Sequence, residues 1–280
     1  MIKKEWSKEE IFTLLQKVKP GIDAQLVFYP EREFGNYTNI ELRKAAVGIH
    51  LYNKGQNTYF ILIERSKYDG FHSQQIAFPG GKFDEDDREL EYTARRESQE
   101  EIGIPVNSGD LVTELSDVVV SVSKFIVSPF VFFHEKEPEI LINRREVATI
   151  LKVKLSDFLE KDHSNRDIKI SGNMNLKNIP CFEIQEKIVW GATALILNEL
   201  KIILYVLCIM LSGTNGLSTL VAQPLILTPT RLKNTLEENK KRLGIFVELK
   251  EGEKLGRSEE TIDDPNDTCP VDGNKVYPEF

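Results

Sequence analysis

Three carboxylates stand at i, i+3 and i+4 in Arg96-Glu97-Ser98-Gln99-Glu100-Glu101. On a helix those positions share one face. Carboxylates that close repel one another unless cations sit between them, yet on a solvated helix the same triplet carries no chemistry. The surroundings choose between the two readings. Upstream, Phe78-Pro79-Gly80-Gly81 gives a backbone that turns tightly and can approach a ligand closely. The carbonyls of such a loop are oxygen donors of the type Mg²⁺ prefers. Arg96 can hold a neighbouring carboxylate in a fixed orientation, and Gly103 ends the segment soon after the last glutamate. A loop, a carboxylate-bearing helix and a tight exit make a compact site for a hard cation, Mg²⁺ or Mn²⁺. Such a cation suits a diphosphate, whose hydrolysis builds charge on phosphoryl oxygens.

The elements that must position these groups can be read around them. Ser7 opens a Ser-x-x-Glu capping box with Glu10, and Ile11, Leu14, Leu15 and Val18 follow at helical spacing until Pro20-Gly21. Residues 22–42 read as a polar, broken loop. Residues 45–52 and 58–64 read as two strands joined by the turn Asn53-Lys54-Gly55-Gln56, an antiparallel hairpin. A loop with Gly70, Pro79, Gly80 and Gly81 leads into a helix over 91–102 that Gly103 caps. Residues 117–121, 126–133 and 150–153 are further strands, Leu155–Leu159 a short helix, and 163–179 a loop or hairpin. A strand over 181–187 precedes Trp190-Gly191-Ala192-Thr193, which leads into a helix through about residue 200.

The apolar run Ile202 to Leu211 is too short to span a bilayer and reads as a buried helix or strand, so no membrane contact is expected. Beyond it the composition changes. Ser212-Gly213-Thr214-Asn215-Gly216 reads as a flexible joint, 229–243 as a charged helix, and 251–280 as a poorly ordered end. The domain plan is thus an N-terminal helix and loop over 1–36, a catalytic domain over 37–211 and a C-terminal extension over 212–280. The net charge of −8 argues against a general nucleic-acid binder but not against a small phosphorylated substrate. The three cysteines, Cys181, Cys208 and Cys269, are scattered and odd in number, so no disulfide framework is implied; with no apolar leader after Met1, a cytoplasmic location is expected.

Gly81 followed by Arg96-Glu97-Ser98-Gln99-Glu100-Glu101-Ile102-Gly103-Ile104 resembles the Nudix box, G-x5-E-x7-R-E-U-x-E-E-x-G-U, in which U is aliphatic. Ser98 stands at a U position. The sixth position after Gly81 is Asp87, and eight residues rather than seven then precede Arg96. That expansion, with Asp84 and Asp87, is similar to the coenzyme A pyrophosphatase subgroup. A second motif of that subgroup, L-L-T-x-R-S-x3-R-x3-G-x3-F-P-G-G, is matched at Arg65, Ser66 and Phe78 through Gly81, while Gly70 replaces its second Arg and Gln74 its Gly. Trp190 through Ala194 looks like the family's closing segment, and the resemblance covers roughly residues 40–205.

The resemblance implies an α+β fold, the Nudix α/β/α sandwich with a mixed β-sheet, carrying an irregular C-terminal extension. It implies metal ligation by Glu97, Glu100 and Glu101 with a carbonyl at Gly80 or Gly81. It implies catalytic roles for Arg96, Glu100 and Glu101, and substrate contacts at Arg65, Ser66, Phe78, Gly80 and Gly81. Glu146, before a strand, is a second candidate general base or a solvated loop residue. Arg65 suits either a substrate phosphate or a carboxylate partner; His72 suits substrate or polar surface. Phe78 and Trp190 suit packing, Asp84 and Asp87 suit shaping the loop or pairing with Arg96, and Cys181 suits a small core position. The implied reaction cleaves coenzyme A or acyl-CoA to 3′,5′-ADP and phosphopantetheine products. The alternatives are another nucleoside diphosphate derivative as substrate, or a non-catalytic nucleotide-binding module. A homodimer is compatible with all of these.

Overall fold

The computed structural model describes residues 5–17, 20–29, 41–67, 72–170 and 174–211. Its elements are α1 (Lys8–Lys17), α2 (Ile22–Phe28), β1 (Arg43–Lys54), β2 (Asn57–Arg65), β3 (Ile76–Ala77), β4 (Gly80–Lys82), α3 (Leu90–Ile102), β5 (Asp110–Glu114), β6 (Val118–Val120), β7 (Phe125–His134), β8 (Val147–Lys154), α4 (Leu155–Leu159), β9 (Ser164–Ile170), β10 (Met174–Ile184), β11 (Lys187–Trp190) and α5 (Gly191–Leu211). No helix among the described residues is long and apolar enough to cross a membrane.

Apart from His50, the run Ala45 to Tyr52 is apolar on both faces, which suits a strand covered on both sides. β1 becomes the axis of an eight-stranded sheet. Its later half pairs antiparallel with β2, from Leu51↔Phe60 to Lys54↔Asn57. Its earlier half pairs instead with β4, at Ala46↔Gly81 and Val47↔Gly80. β2 meets β3 at Ile63↔Ala77. The two strands of the hairpin therefore splay, and the segment from β3 to β4 fills the wedge with Phe78-Pro79-Gly80-Gly81 at its centre. On its other edge β1 runs parallel to β7 from Arg43↔Phe125 to Tyr52↔His134, so the sheet is mixed. β8 extends the sheet beyond β2, and β5 and β6 both pair with β7.

Strand periodicity sorts the layers. Ala46, Phe130 and Phe132 pack with Ala94 of α3 on one face, and Tyr52, Ile61, Ile63 and Val147 pack with Ile102 and Ile104. Ile49, Leu51, Phe60, Leu62, Val131 and Phe133 point the other way, into a core shared with Ile11 and Leu15 of α1, Phe158 of α4 and Leu197 and Leu200 of α5. A second, three-stranded antiparallel sheet orders β11-β10-β9 on that side. The fold is α+β, a mixed sheet between helices.

The capping box forms reciprocally: Ser7 N–H donates to Glu10 Oε2 (2.8 Å) and Glu10 N–H to Ser7 Oγ (3.2 Å). Four expectations are amended. Residues 22–28 are a helix, because tertiary partners stabilise seven residues too few to hold alone: Ala24, Leu26 and Phe28 are buried, and Asn198 of α5 donates to the Ala24 carbonyl. Residues 110–114, to which the pattern assigned nothing, form β5 against β7. α5 runs unbroken through the apolar segment to Leu211. Trp190, assigned to packing, lies half-buried against Ile168, Leu176 and Ile179 of the small sheet rather than in the main core. The expected joint, charged helix and loose end beyond residue 211 lie outside the described residues.

Candidate metal and diphosphate site

α3 presents its carboxylates to the wedge between β1 and β2. Ala94, Ser98, Glu101 and Ile102 are the buried stripe, which leaves Glu97 at the boundary and Glu100 outside. Gly103 closes the helix in the left-handed region (φ 75°), with its N–H donating to the Gln99 carbonyl. A Cβ there would press on Leu141, whose N–H donates to the Ile102 carbonyl (2.9 Å). Asn143 N–H reaches the Glu101 carbonyl in the same way (2.9 Å), so the segment before β8 satisfies the open end of α3.

Glu101 is 1 % exposed. Its Oε2 accepts from Gly80 N–H (2.9 Å) and its Oε1 lies 3.3 Å from Arg65 Nη1. Burial pushes its carboxyl up to about 7; Arg65 and the Gly80 N–H oppose the rise, while Glu97 and Glu146 add to it. Glu97 is raised too, by burial first, against Arg96, with Glu100 and Glu146 adding. Its carboxylate rests where a Cβ on Gly81 would stand, within 2.5 Å of either oxygen. Only glycine at 81 lets the loop and that carboxylate come together.

Arg96 occupies the centre of the charged face. Its fork meets Asp87 twice, Nε to Oδ1 at 2.9 Å and Nη2 to Oδ2 at 2.8 Å, and Nη1 reaches Glu97 (2.8 Å) and Glu100 (3.3 Å). Asp84 lies 3.7 Å from Nη2. Asp87 also accepts from Asp84 N–H and Thr93 Oγ, and Arg96 heads the causes that hold its carboxyl down at about 2. The box loop, one residue longer than the strict pattern, is thus folded around buried Asp87 and its half-buried partner Arg96.

Glu146 belongs to the turn before β8. Asn143 Nδ2 donates to its Oε1 (3.1 Å), and Ser66 ties the turn down through N–H to the Glu146 carbonyl (2.8 Å) and Oγ to the Arg144 carbonyl (3.3 Å). Arg65 and Ser66 therefore touch the helix and the Glu146 turn respectively. Phe78 takes the packing role its residue type suits rather than the substrate contact the resemblance implies: it is 2 % exposed within the main core, and it supports the loop from beneath. His72 pairs with Gln75 (3.0 Å), and buried Cys181 donates to the Ser164 carbonyl (3.2 Å).

Among the described residues, no three His, Cys, Asp or Glu side chains are gathered as a ready cage for a metal ion. The reason is visible: Arg96 separates Glu97 from Glu100, and Glu101 is turned to Gly80. The donor set nonetheless fits a hard divalent cation. Its groups are carboxylate oxygens beside a loop carbonyl chain, and the mutual repulsion of Glu97, Glu101 and Glu146 is what a cation between them would remove. The structure also shows groups the motifs did not indicate: Thr93, Asn143, and a buried pair, His50 and His134, behind α3. Ser98 in an aliphatic position was the one visible sign of the last.

The model of the NUDIX domain matches residues 42–172. An uncharacterized Nudix hydrolase NudL of Yersinia pestis is 31 % identical over 166 residues, 59 % of this chain and 81 % of the relative, and its Yersinia pseudotuberculosis counterpart matches equally. The chain belongs to the Nudix hydrolase family. It is accordingly a hydrolase of pyrophosphate bonds in nucleoside diphosphate derivatives, in a family that works with divalent metals such as Mg²⁺. Solved structures that match part of the chain include a Caenorhabditis elegans Ap4A hydrolase binary complex (17 % identity, TM-score 0.36, 42 % of this chain and 85 % of that one). Another is the NUDIX domain of Shewanella oneidensis NrtR with ADP ribose (15 % identity, TM-score 0.35, 48 % and 85 %).

Proposed function

We propose that this Nudix hydrolase cleaves the diphosphate of coenzyme A or an acyl-CoA, giving 3′,5′-ADP and (acyl-)phosphopantetheine, with residues 37–211 as the catalytic domain. The observation that carries the reading is the backbone at Gln74. This residue stands where the upstream motif has glycine, and it holds φ 60°, a left-handed conformation that glycine adopts without strain. The side chain departs from the motif while the backbone keeps a shape that suits it. Arg65 and Ser66 of the same motif abut Glu101 and the Glu146 turn. The substitution of the motif's second Arg by Gly70 favours the second reading, another nucleoside diphosphate derivative such as ADP-ribose, a dinucleotide or a nucleotide sugar.

Glu97, Glu100 and Glu101 would hold Mg²⁺ or Mn²⁺, with a carbonyl of Gly80 or Gly81. When bound, the metal neutralises phosphoryl charge and polarises the phosphorus centre. Arg65 would orient a diphosphate oxygen by a charge-assisted hydrogen bond. Arg96 keeps Glu97 and Glu100 on the loop side of α3. Water attacks phosphorus as the bridging P–O bond breaks, and a carboxylate takes the water's proton. Glu146, exposed and oriented by Asn143, is one group for that step; Glu100 or Glu101 is the alternative.

Incubation with Mg²⁺ and a panel of CoA, acetyl-CoA, NADH, ADP-ribose and diadenosine polyphosphates, with products separated by chromatography, tests the reading. Release of 3′,5′-ADP from CoA, abolished by Glu100→Gln, is expected. Preferential cleavage of ADP-ribose would overturn the substrate. Inertness to the whole panel would overturn the proposed activity.

A further inference from the structure

A chain of four polar side chains crosses the core behind the glutamate helix. Ser98 Oγ lies 2.6 Å from the Ala94 carbonyl, 2.9 Å from His50 Nε2; His50 Nδ1 is 3.0 Å from His134 Nε2, and His134 Nδ1 3.4 Å from Ser108 Oγ. His50 and Ser98 are each 1 % exposed and His134 is 6 % exposed.

The direction of every bond follows from one end. A carbonyl only accepts, so Ser98 must give its hydroxyl proton to Ala94. Ser98 Oγ then accepts, and His50 Nε2–H donates to it. The neutral His50 ring has a bare Nδ1, which accepts from His134 Nε2–H, and His134 Nδ1 accepts from Ser108. Each ring has one donor and one acceptor, and each is used once. Burial lowers both imidazoles below their ordinary range, His134 to about 4, so the neutral forms that this pattern needs are the resident ones.

The same strand that carries His50 carries the glycine loop. Val47 pairs with Gly80, Ala46 with Gly81, and Gly48 N–H donates to the Pro79 carbonyl (2.8 Å). A Cβ on Gly48 would lie 2.7 Å from His50 Nε2 and 2.9 Å from Ser98 Oγ, so the close approach of helix to strand needs glycine there. The inward face of α3 at this level is Ala94 and Ser98, small side chains with little apolar surface to fix the helix's rotation. Ser98 directly follows Glu97 and precedes Glu100 and Glu101, so the rotation it fixes is theirs.

We infer that Ser98, His50 and His134 are positioning residues, which register α3 against β1 so that Glu97, Glu100 and Glu101 meet the Gly80-Gly81 loop around a divalent cation. This rests on the metal assignment made above and goes beyond it, because none of these three residues touches the cation. Hydrogen bonds made to metal-binding groups set their orientation, and losing one typically weakens metal affinity about 10–100-fold; the bonds here act through the helix that carries the glutamates, which puts the expected effect at the lower end of that range.

The test is Mn²⁺ binding to the full chain, followed by the paramagnetic resonance signal of free Mn²⁺, beside thermal unfolding without metal. Ser98→Ala and His50→Leu are each expected to weaken Mn²⁺ binding by about tenfold. The double variant should be little worse than either, since the chain acts as a unit. His50→Gln, whose amide can still donate to Ser98, should recover most of the affinity. Wild-type affinity in Ser98→Ala and His50→Leu, with only the unfolding temperature lowered, would overturn the inference and leave a purely structural network. If His50→Leu does not fold, Ser98→Ala, which removes a single atom, decides alone. A wild type that binds no Mn²⁺ would overturn the metal assignment, and this inference with it; wild-type binding that the variants share overturns this inference only.

Discussion

Glu101 and Glu199 are both buried glutamates, 1 % and 2 % exposed, and burial raises the carboxyl of each. Their surroundings differ in kind. Glu199, on α5, faces neutral donors: Ser116 N–H at 3.2 and 3.3 Å, Ser116 Oγ at 2.7 Å, and the Gly21 N–H. That carboxylate is complete, and it pins α5 to two loops. Glu101 has one backbone donor and the longer Arg65 contact, in a field made worse by Glu97 and Glu146. Glu199 is satisfied where it lies, whereas Glu101 is held in repulsive company that a bound cation would relieve. Such sites store destabilisation that the rest of the fold offsets.

The sharpest way to break that contrast is Glu101→Gln. The amide keeps an acceptor for Gly80 but loses the charge. Turnover of a nucleoside diphosphate derivative is expected to fall about 10²–10³-fold, the scale for removing one preorganised electrostatic group. The unfolding temperature should hold or rise. Wild-type turnover, or a large loss of stability, would make Glu101 another Glu199. Next in size is Arg96→Lys. Lysine retains the charge but not the fork, so buried Asp87 keeps at most one of its two short bonds to position 96. Urea unfolding should show a loss of about 3 kcal/mol, the upper end for a charge-assisted hydrogen bond. An unchanged midpoint would mean that Thr93 and the Asp84 N–H satisfy Asp87 without it.

How far these two environments could be read in the sequence also differs. The glutamate triplet, the expanded loop with Asp87, and Gly80-Gly81 were legible because they are local: spacing on one helix and one turn puts them together. The β1–β2 hairpin, α3 and the Gly103 cap were legible for the same reason. What escaped were partners distant in the chain. His50 lies 48 residues from Ser98 and 84 from His134, and no periodicity joins them. Glu199 meets Ser116 across 83 residues. β5 and α2 escaped because pairing with β7 and docking on α5, rather than intrinsic propensity, make them form. A serine at an aliphatic position was the only local sign that something polar lay behind the helix.

The structural half of the comparison predicts smaller effects. Glu199→Ala leaves the half-buried Ser116 N–H and hydroxyl without their acceptor and should cost about 2 kcal/mol, within the range for donors that lose their partner. Turnover measured well below the unfolding temperature should be unchanged. A loss of turnover with intact stability would move Glu199 into the catalytic class.

Glu199→Gln should alter stability by less than about 1 kcal/mol, and its informative property is the pH dependence of that difference. Burial holds Glu199 above the ordinary carboxylate range, with the Ser116 and Gly21 donors offsetting part of the rise. A raised carboxyl means that, between the unfolded and folded values, the folded chain binds a proton the unfolded chain has released. Stability from this group therefore falls as pH rises through that window, and its ionisation is a cost at pH 8 that lifts on acidification. Glutamine has no such titration. The unfolding temperature of the variant minus that of wild type should be larger at pH 8 than at pH 5. His50, His134 and Glu101 titrate in both proteins and cancel in the difference. A difference that is flat, or that grows toward low pH, would show that three neutral donors stabilise the ionised form as well as water does. Glu199 would then be more complete than its burial implies, and the gap between it and Glu101 wider.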